Sequence, residues 1–415
     1  LCPASLERIP YFLMMEPIVL LGATGSIGRQ TLDLLRYSLN YDLVGVSFFS
    51  RFEKREPFLL YFPKLKYIGI VDEEKAKEFQ KVHPSYKVFS GKNASVEVIK
   101  ASKNACVFNA IRGNEGLIPS LTSLRLNRDL MLCNKESLVI GSSLIHKERM
   151  TSSSHLYPVD SEHVALNKLL NELKRRKIKE NQIKTLWITA SGGALRDYPL
   201  SDRKKATPER VLKHPTWNRG SKITVDCTTR VNKAFEIREA KALFPRPDFV
   251  QYKAVICKES LVHALITFLN EEGKEETIYE YSPVDRKVAI AFALSKGTLL
   301  RHENSQEDKE NVKKLHFHKI DSLRYPCFSL ALERNRLHGN SGRIFRNAVD
   351  SLAIQEFLSH KLAYLDIQEC LSYTLSHFPK TKELNEENLD SILQQADSFA
   401  KEVIDKQKGK TCHSF

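Results

Sequence analysis

The most informative absences in this sequence concern membranes and disulfides. The chain has no apolar run of the roughly 18 to 20 residues that a helix needs to cross a bilayer, so it is predicted to be soluble, with no membrane partner. Its eight cysteines include no Cys-x-x-Cys pair, and 415 residues are enough to bury two or three domain cores without disulfides. We therefore expect free thiols in a reducing compartment.

Positive charge is the clearest compositional bias. Lysine and arginine outnumber aspartate and glutamate by 64 to 50, a formal net charge of +14. This charge suits nucleic acid, a phosphorylated metabolite or a dinucleotide, and a lineage that simply uses much lysine would show it too. The basic run at 174–179 has no interleaved aromatic residues and no recognised nucleic-acid module beside it. We interpret it as the solvated end of a helix and expect no nucleic-acid partner.

A glycine turn lies between a predicted strand at 17–21 and a predicted helix at 26–39. Gly22, Gly25 and Gly28 form a G-x-x-G-x-x-G pattern, in which small residues let the backbone approach a pyrophosphate at the helix N-terminus. Glycine turns also serve as plain connections, but the flanking strand and helix favour a dinucleotide-binding turn.

Strands alternate with helices over the first part of the chain, which is typical of a parallel, doubly wound, Rossmann-like sheet. Further strands are predicted there at 43–49, 67–71, 105–110 and 129–133. A second α/β segment has predicted strands at 185–190, 222–225, 252–257 and 277–281, the last one antiparallel. Helices are predicted near the end of the chain at 352–362 and 389–404.

The predicted organisation is α/β with three domains. Residues 1–15 are an extension, interpreted as the remnant of a targeting sequence or an artefact of the gene model. The remaining predicted units are a dinucleotide-binding domain at 16–165, a catalytic α/β domain at 166–300, a charged linker at 301–325 and a helical bundle domain at 326–415.

The end of the second predicted strand indicates the cofactor. A Rossmann enzyme that uses NAD usually carries an acidic residue there for the ribose hydroxyls. This chain has Ser50 and Arg51 instead, and a hydroxyl and a cation suit a 2′-phosphate. The sequence therefore favours NADPH, with an exposed loop arginine as the alternative.

Carboxylates in the middle of the chain suggest a metal site. Asp160 and Glu162 are two residues apart, and in an extended segment they would share a face. Asn232, Lys233 and Glu236 share one face of a predicted helix. An all-oxygen set of Asp160, Glu162 and Glu236 would select Mg²⁺ or Mn²⁺, although each carboxylate alone could be a capping or solvated residue.

Three loops carry further candidates. The turn at 189–193, with Ser191, follows a strand and has the character of an anion-holding turn. The loop at 214–220 places His214 and Trp217 between proline and glycine, which favours a lid that shields a site from water. Asn134 follows a strand of the parallel sheet, where ligand crevices form, or is simply a helix cap.

Together these segments resemble the 1-deoxy-D-xylulose 5-phosphate reductoisomerase family. The matching pieces, in the family's order across residues 20 to 400, are LGATGSIG, NKESLV, PVDSEH, TASGG, HPTW, the run at 222–236, and RYPC. The resemblance implies isomerisation of the carbon skeleton, then reduction by NADPH to 2-C-methyl-D-erythritol 4-phosphate, in the non-mevalonate route to isoprenoid precursors. It also implies a homodimer, cytoplasmic in a bacterium or in a plastid-type organelle of a eukaryote.

The resemblance also implies roles for individual residues. The metal ligands would be Asp160, Glu162 and Glu236. The residues that hold the substrate, several of them at its phosphate, would be Lys135, Ser161, Ser191, His214, Asn232 and Lys233. The residues that contact NADPH would be Thr24, Gly25, Ser26, Ile27, Asn134, Glu136 and Gly220.

Two departures from the family pattern matter. Cys227 stands where the family has serine at the start of its phosphate-binding run, and a thiol is a weaker donor than a hydroxyl. Phe49, Ser50 and Arg51 replace the family's Gly-Lys-Asn after the second strand. Two alternatives follow: a related NADPH oxidoreductase acting on a different sugar phosphate, and a catalytically inactive dinucleotide-binding protein.

Overall fold

The computed structural model describes residues 15–50, 60–213, 220–282, 285–298, 315–333 and 341–412. Arg51, His214, Trp217, most of the predicted N-terminal extension and most of the predicted linker lie outside these residues. Within the described residues, no helix combines the length and the apolar character required to cross a membrane.

A seven-stranded sheet, parallel throughout, forms the N-terminal part, in the order β4-β3-β2-β1-β5-β6-β7. Its strands are β1 Glu16–Leu21, β2 Tyr41–Phe48, β3 Tyr67–Ile70, β4 Lys87–Ser90, β5 Cys106–Asn109, β6 Leu130–Leu132 and β7 Leu156–Pro158. The strand order reverses between β1 and β5, and ligands of doubly wound sheets bind at such a point. The predicted Rossmann-like sheet is confirmed.

Helices cover both faces of this sheet because its central strands are apolar on both sides. In β1, Ile18 and Leu20 pack into one core and Val19 and Leu21 into the other, all with no exposed surface. The helices of this part are α1 Ser26–Leu35, α2 Glu73–Val82, α3 Ala94–Ala101, α4 Leu117–Arg125, α5 Lys135–Ile140, α6 Ser142–Thr151 and α7 Ser161–Arg175.

A five-stranded mixed sheet follows, in the order β11-β10-β8-β9-β12. Its strands are β8 Ile183–Ala190, β9 Gln251–Cys257, β10 Val262–Leu269, β11 Glu275–Tyr281 and β12 Phe317–Lys319. β8 and β9 are parallel, and β10 pairs antiparallel with both β8 and β11. The antiparallel strand predicted at 277–281 is confirmed, whereas β10 was not predicted.

Further helices follow α7 in the described residues, and those after β12 form a helical C-terminal region. They are α8 Pro208–Val211, α9 Ser221–Thr229, α10 Val231–Leu243, α11 Arg286–Leu294, α12 Pro326–Leu332, α13 Ser341–Leu358, α14 Asp366–His377 and α15 Glu386–Cys412. Phe345 in α13 packs edge-on against Phe399 in α15, with ring centroids 5.5 Å apart. The predicted helical end of the chain is confirmed, although α13 ends at Leu358 rather than at 362.

The strand predicted at 222–225 was wrong, because these residues belong to α9. Their β-branched side chains favour a strand locally. In the structure Thr224 donates its hydroxyl to the carbonyl oxygen of Gly220 at 3.0 Å, and Thr228 donates to that of Thr224 at 3.1 Å. These bonds satisfy the threonine hydroxyls within the helix, and burial of Val225 outweighs local propensity.

Candidate active site

The first predicted site residues lie where β6 and β7 end. Asn134 caps α5 by accepting a hydrogen bond from the backbone N–H of Ser137 at 2.8 Å, which places Lys135 in the first turn. Asp160 caps α7 by accepting from the N–H of Glu162 at 3.3 Å. Because β6 and β7 are adjacent and parallel, both caps lie at one edge of the sheet.

Three carboxylates converge beside these caps. Oxygen atoms of Asp160, Glu162 and Glu236 lie within 4.8 Å of one another. The expectation of an extended segment was wrong, because Asp160 caps a helix and Glu162 lies in its first turn. The cap brings these two carboxylates together instead, and α10 brings Glu236. An all-oxygen donor set at this spacing fits a hard cation such as Mg²⁺ or Mn²⁺.

Two lysine ammonium groups lie among the carboxylates. Lys135 Nζ donates to Glu236 Oε1 at 3.1 Å and to Asn232 Oδ1 at 2.7 Å. Lys233 Nζ donates to Glu162 Oε1 at 2.8 Å and also to Glu236. Asn232, Lys233 and Glu236 lie in α10, and the predicted helix is confirmed. The lysines compensate the negative charge of carboxylates that are removed from water.

Glu239, which the sequence analysis did not single out, lies one helical turn beyond Glu236. Its carboxylate is 3.5 Å from Lys135 Nζ. With Asp160 and His163 it forms a second group whose ligand atoms lie within 4.8 Å of one another. His163 Nε2 is 2.9 Å from the backbone oxygen of Glu236. The three-residue spacing from Glu236 is the signal that could have identified Glu239.

Burial and pairing move the pKa values of these carboxyl groups in opposite directions. Burial, reinforced by the charge of Glu236, raises the pKa of Asp160 to about 6. Burial also raises the pKa of Glu239 to about 7. For Glu236, burial acts in the same direction, but Lys135 and Lys233 outweigh it and lower the pKa. Glu236 is therefore held ionised, whereas Asp160 and Glu239 take up protons much closer to neutral pH.

A pocket beside the carboxylates has about 430 Å³ of unfilled space, its opening to solvent included. Five predicted site residues line it, namely Glu162, Ser191, Cys227, Asn232 and Lys233. Three other polar residues of its wall, namely Arg230, Ser260 and His263, were not predicted. Ser161 lies next to the pocket and donates its hydroxyl to Glu162 Oε2 at 2.6 Å. The pocket lining thus combines one carboxylate, several hydroxyls and two cationic side chains, which suits an anionic, polar ligand.

The glycine turn requires its small residues. Gly22 has a φ of +73°, and a Cβ at Gly28 would lie 2.3 Å from the backbone oxygen of Gly22. Thr24 and Gly25 complete the turn. Ser26 and Ile27 begin α1, so their backbone N–H groups lie at a helix N-terminus beside the reversal of strand order.

The loop after β5 connects the other predicted cofactor residues to this turn. Arg112 Nη2 donates to Ser26 Oγ at 3.2 Å, and a Cβ at Gly220 would lie 3.9 Å from Arg112 Nη1. Asn134 Nδ2 donates to the carbonyl oxygen of Gly113 at 2.8 Å and to Glu136 Oε2 at 3.2 Å. Thus one loop joins the glycine turn, Gly220 and the start of α5. Ser50 lies just beyond the end of β2.

Fold and site together define a class of protein. A doubly wound sheet with a glycine turn where its strand order reverses is the architecture of dinucleotide-binding enzymes. Beside it lie an oxygen-only carboxylate cluster and a polar, cationic pocket. These features define a dinucleotide-dependent enzyme with a divalent-cation site.

Comparison with known proteins is consistent with this class and identifies the family. The family model for 1-deoxy-D-xylulose 5-phosphate reductoisomerase matches residues 18–142. Models of two C-terminal domains of the same enzyme match residues 156–244 and 281–403. The reductoisomerase of Bacillus subtilis (strain 168) is 30% identical over 393 residues, which cover 94% of this chain and all of the relative. That of Thermotoga maritima is 35% identical over 361 residues, covering 87% of this chain and 89% of the relative.

Solved structures agree. The 1-deoxy-D-xylulose 5-phosphate reductoisomerase from Zymomonas mobilis in complex with NADPH is 27% identical, with a TM-score of 0.81 over 94% of this chain and 99% of that one. A reductoisomerase in complex with NADPH, fosmidomycin and magnesium is 26% identical, with a TM-score of 0.80 over 94% and 98%. This chain belongs to the 1-deoxy-D-xylulose 5-phosphate reductoisomerase family, and it is an enzyme.

Proposed function

We propose that this enzyme converts 1-deoxy-D-xylulose 5-phosphate to 2-C-methyl-D-erythritol 4-phosphate, with NADPH and a divalent cation, Mg²⁺ or Mn²⁺. The observation that carries the proposal is the carboxylate cluster of Asp160, Glu162 and Glu236 at the wall of a cationic pocket. The pocket can take a phosphorylated sugar, and the cluster can take a hard cation. One solved relative is in complex with NADPH, fosmidomycin and magnesium, and another is in complex with NADPH.

The clustered carboxylates and lysines would have different roles at the reacting end of the substrate. A divalent cation bound by Asp160, Glu162 and Glu236 would polarise the ketone of the substrate and stabilise charge on its oxygen atoms. Glu236 is suited to this role because Lys135 and Lys233 lower its pKa. Lys135, hydrogen-bonded to both Asn232 and Glu236, would orient the substrate hydroxyls beside the carboxylates.

Other residues would bind the phosphate and the cofactor. Ser191, Asn232 and Lys233 line the pocket, and their hydroxyl, amide and ammonium groups can donate to phosphate oxygens. The N-terminus of α1 would hold the pyrophosphate of NADPH, and the bound cofactor would supply the hydride for reduction of the aldehyde. We keep the loop at 214–220, with His214 and Trp217, as the proposed lid that excludes water.

Arg51 and Ser50 are proposed to contact the 2′-phosphate of NADPH. Substitution Arg51→Asp would place a carboxylate against that phosphate and should weaken NADPH far more than NADH. Titration of both cofactors against both proteins measures this. Equal losses for the two cofactors would show that Arg51 does not contact the 2′-phosphate.

We also propose the predicted domain division and a homodimer. Two separate sheets, one within 16–158 and the other within 183–319, support the first boundary, and helices alone in the described residues after β12 support the last domain. β12 pairs with β9, so Phe317–Lys319 belong to the second sheet rather than to the linker predicted at 301–325. The dimer is supported by β11, a seven-residue edge strand with an exposed Tyr279, because an edge strand has backbone groups that a second chain could pair. Light scattering during size-exclusion chromatography measures the assembly.

The central experiment is NADPH oxidation with 1-deoxy-D-xylulose 5-phosphate, with and without Mg²⁺ or Mn²⁺. We expect turnover that depends on both the substrate and the metal. Absence of turnover with metal and cofactor both bound would contradict the proposed substrate.

Cys227 in the pocket wall favours the second candidate, an NADPH oxidoreductase that acts on another sugar phosphate. The same assay with other sugar phosphates would then identify its substrate.

A further inference from the structure

Arg230 is a buried cation in the pocket wall. It lies at the junction between α9 and α10 with a φ of +73°, a left-handed conformation that residues other than glycine seldom adopt. It is 2% exposed, and it lines the pocket together with Ser191, Cys227 and Lys233. A guanidinium in this position is held by the surrounding structure rather than by solvent.

The hydrogen bonds of this guanidinium are incomplete. Nη1 donates to the backbone oxygen of Cys227, and the guanidinium carbon lies 4.6 Å from the ring centroid of Tyr325. Within the described ranges, Nε and Nη2 have no hydrogen-bond partner, although both are buried. No carboxylate among those residues forms an ion pair with Arg230 either. A buried cation without a counter-ion is costly, so its retention calls for an anion.

The two unpartnered atoms are the ones that bind oxyanions. Nε–H and Nη2–H lie on the same edge of a guanidinium and point in parallel, so they can donate to two oxygens of one phosphate. The carbonyl of Cys227 occupies Nη1, so the edge formed by Nε and Nη2 is the part of the guanidinium that has no partner in the described residues. Ser191, Lys233 and the Cys227 thiol line the same pocket, so an anion held there would meet several donors.

We infer that Arg230 binds the phosphate group of the substrate and supplies the contact that Cys227, with its weaker thiol donor, provides less well. The inference rests on the proposed function for the identity of the substrate. It does not rest on that function for the anion, because the same edge of the guanidinium can bind the phosphate of other ligands. Arg230 thus becomes a substrate-binding residue that the sequence analysis did not select.

A purely structural role makes different predictions. If Arg230 only braces the helix junction through Tyr325 and the Cys227 carbonyl, Arg230→Met should lower thermal stability and leave phosphate binding unchanged. If Arg230 binds phosphate, methionine should leave the free protein at least as stable, because it removes an uncompensated charge. Methionine bears the same Cβ strain at φ +73° as arginine, so the backbone is matched.

The first test uses inorganic phosphate as the probe and does not need turnover. Melting temperatures of the full chain with NADPH and Mg²⁺ are measured against phosphate concentration for wild type, Arg230→Met and Arg230→Lys. We expect phosphate to stabilise wild type, with its Kd raised about ten- to a hundredfold in Arg230→Met and less in Arg230→Lys. The control is Arg210→Met, because exposed Arg210 also stacks on a tyrosine, Tyr198, but does not line the pocket.

The phosphate titration can overturn the inference in two ways. An equal phosphate response in wild type and Arg230→Met, or no response in wild type, overturns it even if the enzyme turns over its substrate. If Arg230→Met fails to fold, Arg230→Lys replaces it: a Kd unchanged from wild type counts against bidentate binding, and a raised Kd supports it.

The second test separates substrate binding from catalysis. With 1-deoxy-D-xylulose 5-phosphate, Arg230→Met should raise KM about ten- to a hundredfold and change kcat less than about threefold. Cys227→Ser should lower KM more in the Arg230→Met background than in wild type, because the two side chains serve one phosphate. Strict additivity of the two substitutions would refute the compensation. Absence of turnover in wild type would instead refute the proposed substrate and leave the phosphate titration as the test of Arg230.

Discussion

Two clusters of carboxylates and lysines in the described residues have the same ratio of the two residue types and different surroundings. The first contains four carboxylates and two lysines: Asp160, Glu162, Glu236, Glu239, Lys135 and Lys233. The second contains two carboxylates and one lysine: Asp226, Asp350 and Lys222, with Lys222 Nζ 2.8 Å from Asp226 and 3.3 Å from Asp350. Each cluster has two carboxylates for every lysine, so residue types alone do not tell them apart.

Their positions distinguish them. Glu162 and Lys233 of the first cluster line the pocket. In the second, Asp350 extends from α13 with no exposed surface and meets Asp226 of α9, which is 3% exposed. The first cluster is thus open to a ligand, and the second joins the helical C-terminal region to the helix that carries Cys227. A buried carboxylate indicates a functional site only when a pocket reaches it.

The largest effect is expected at the pocket. Glu236→Gln removes a carboxylate that Lys135 and Lys233 hold ionised, and we expect kcat to fall by about a thousandfold or more, as for loss of a metal ligand. NADPH affinity, measured by fluorescence titration, should change less than about twofold because the glycine turn is separate. Metal-dependent activity within tenfold of wild type would show that the site is assigned wrongly.

Metal binding should distinguish the clusters without an activity assay. Mg²⁺ at about a hundred times its Kd would stabilise the folded protein by about 2.7 kcal/mol. We expect a melting temperature that rises with Mg²⁺ and falls on chelation in wild type and in Asp350→Asn. Glu236→Gln should lose this response. A response retained by Glu236→Gln and lost by Asp350→Asn would reverse the assignment of the two clusters.

Cys227 lines the pocket beside the first cluster, and it directly follows Asp226 of the second cluster in α9. A substitution at Cys227 therefore tests the pocket immediately beside the second cluster. Cys227→Ser supplies a stronger hydroxyl donor to the pocket, so KM for the phosphorylated substrate should fall about two- to tenfold, toward the low end for one hydrogen bond. Substrate titrations of both proteins measure the change. A rise in KM would mean that the pocket has adjusted to the larger sulfur atom.

The smallest effect on activity is expected at Asp350. Burial and the neighbouring Asp226 raise its pKa well above the ordinary 3.8. The folded state therefore keeps a proton that the unfolded state releases above about pH 4. The contribution of Asp350 to the free energy of unfolding is thus greatest below about pH 4 and is lost as the pH rises. Asp350→Asn should flatten this dependence, by at most about 1.4 kcal/mol per pH unit, and change kcat less than about twofold.

Urea unfolding of wild type and Asp350→Asn at several pH values between about 4 and 8 measures that slope. Parallel pH profiles for the two proteins would show that Asp350 is ionised in the folded state. A large loss of kcat in Asp350→Asn would show instead that the second cluster takes part in the reaction.

Local sequence determined the elements with a strong local signal. The glycine turn identifies the dinucleotide-binding end, and it requires glycine at Gly22 and Gly28 because a Cβ at either position would meet backbone atoms. The three- and four-residue spacing of Asn232, Lys233 and Glu236 determined their common face once α10 formed. Motifs close together in the chain therefore sufficed for the family, the Rossmann-like sheet and the candidate metal ligands.

Tertiary structure decided what depends on contacts between distant segments. The run at 222–225 became part of α9, where Thr224 and Val225 are buried by the surrounding structure. Arg230 looks like an ordinary charged residue in the sequence, and only the packing of α9, α10 and Tyr325 buries it in the pocket wall. The same holds for Asp350, which reaches its cluster from 124 residues beyond Asp226. Burial of a charge depends on what the rest of the chain places around it, and local sequence carries little of that information.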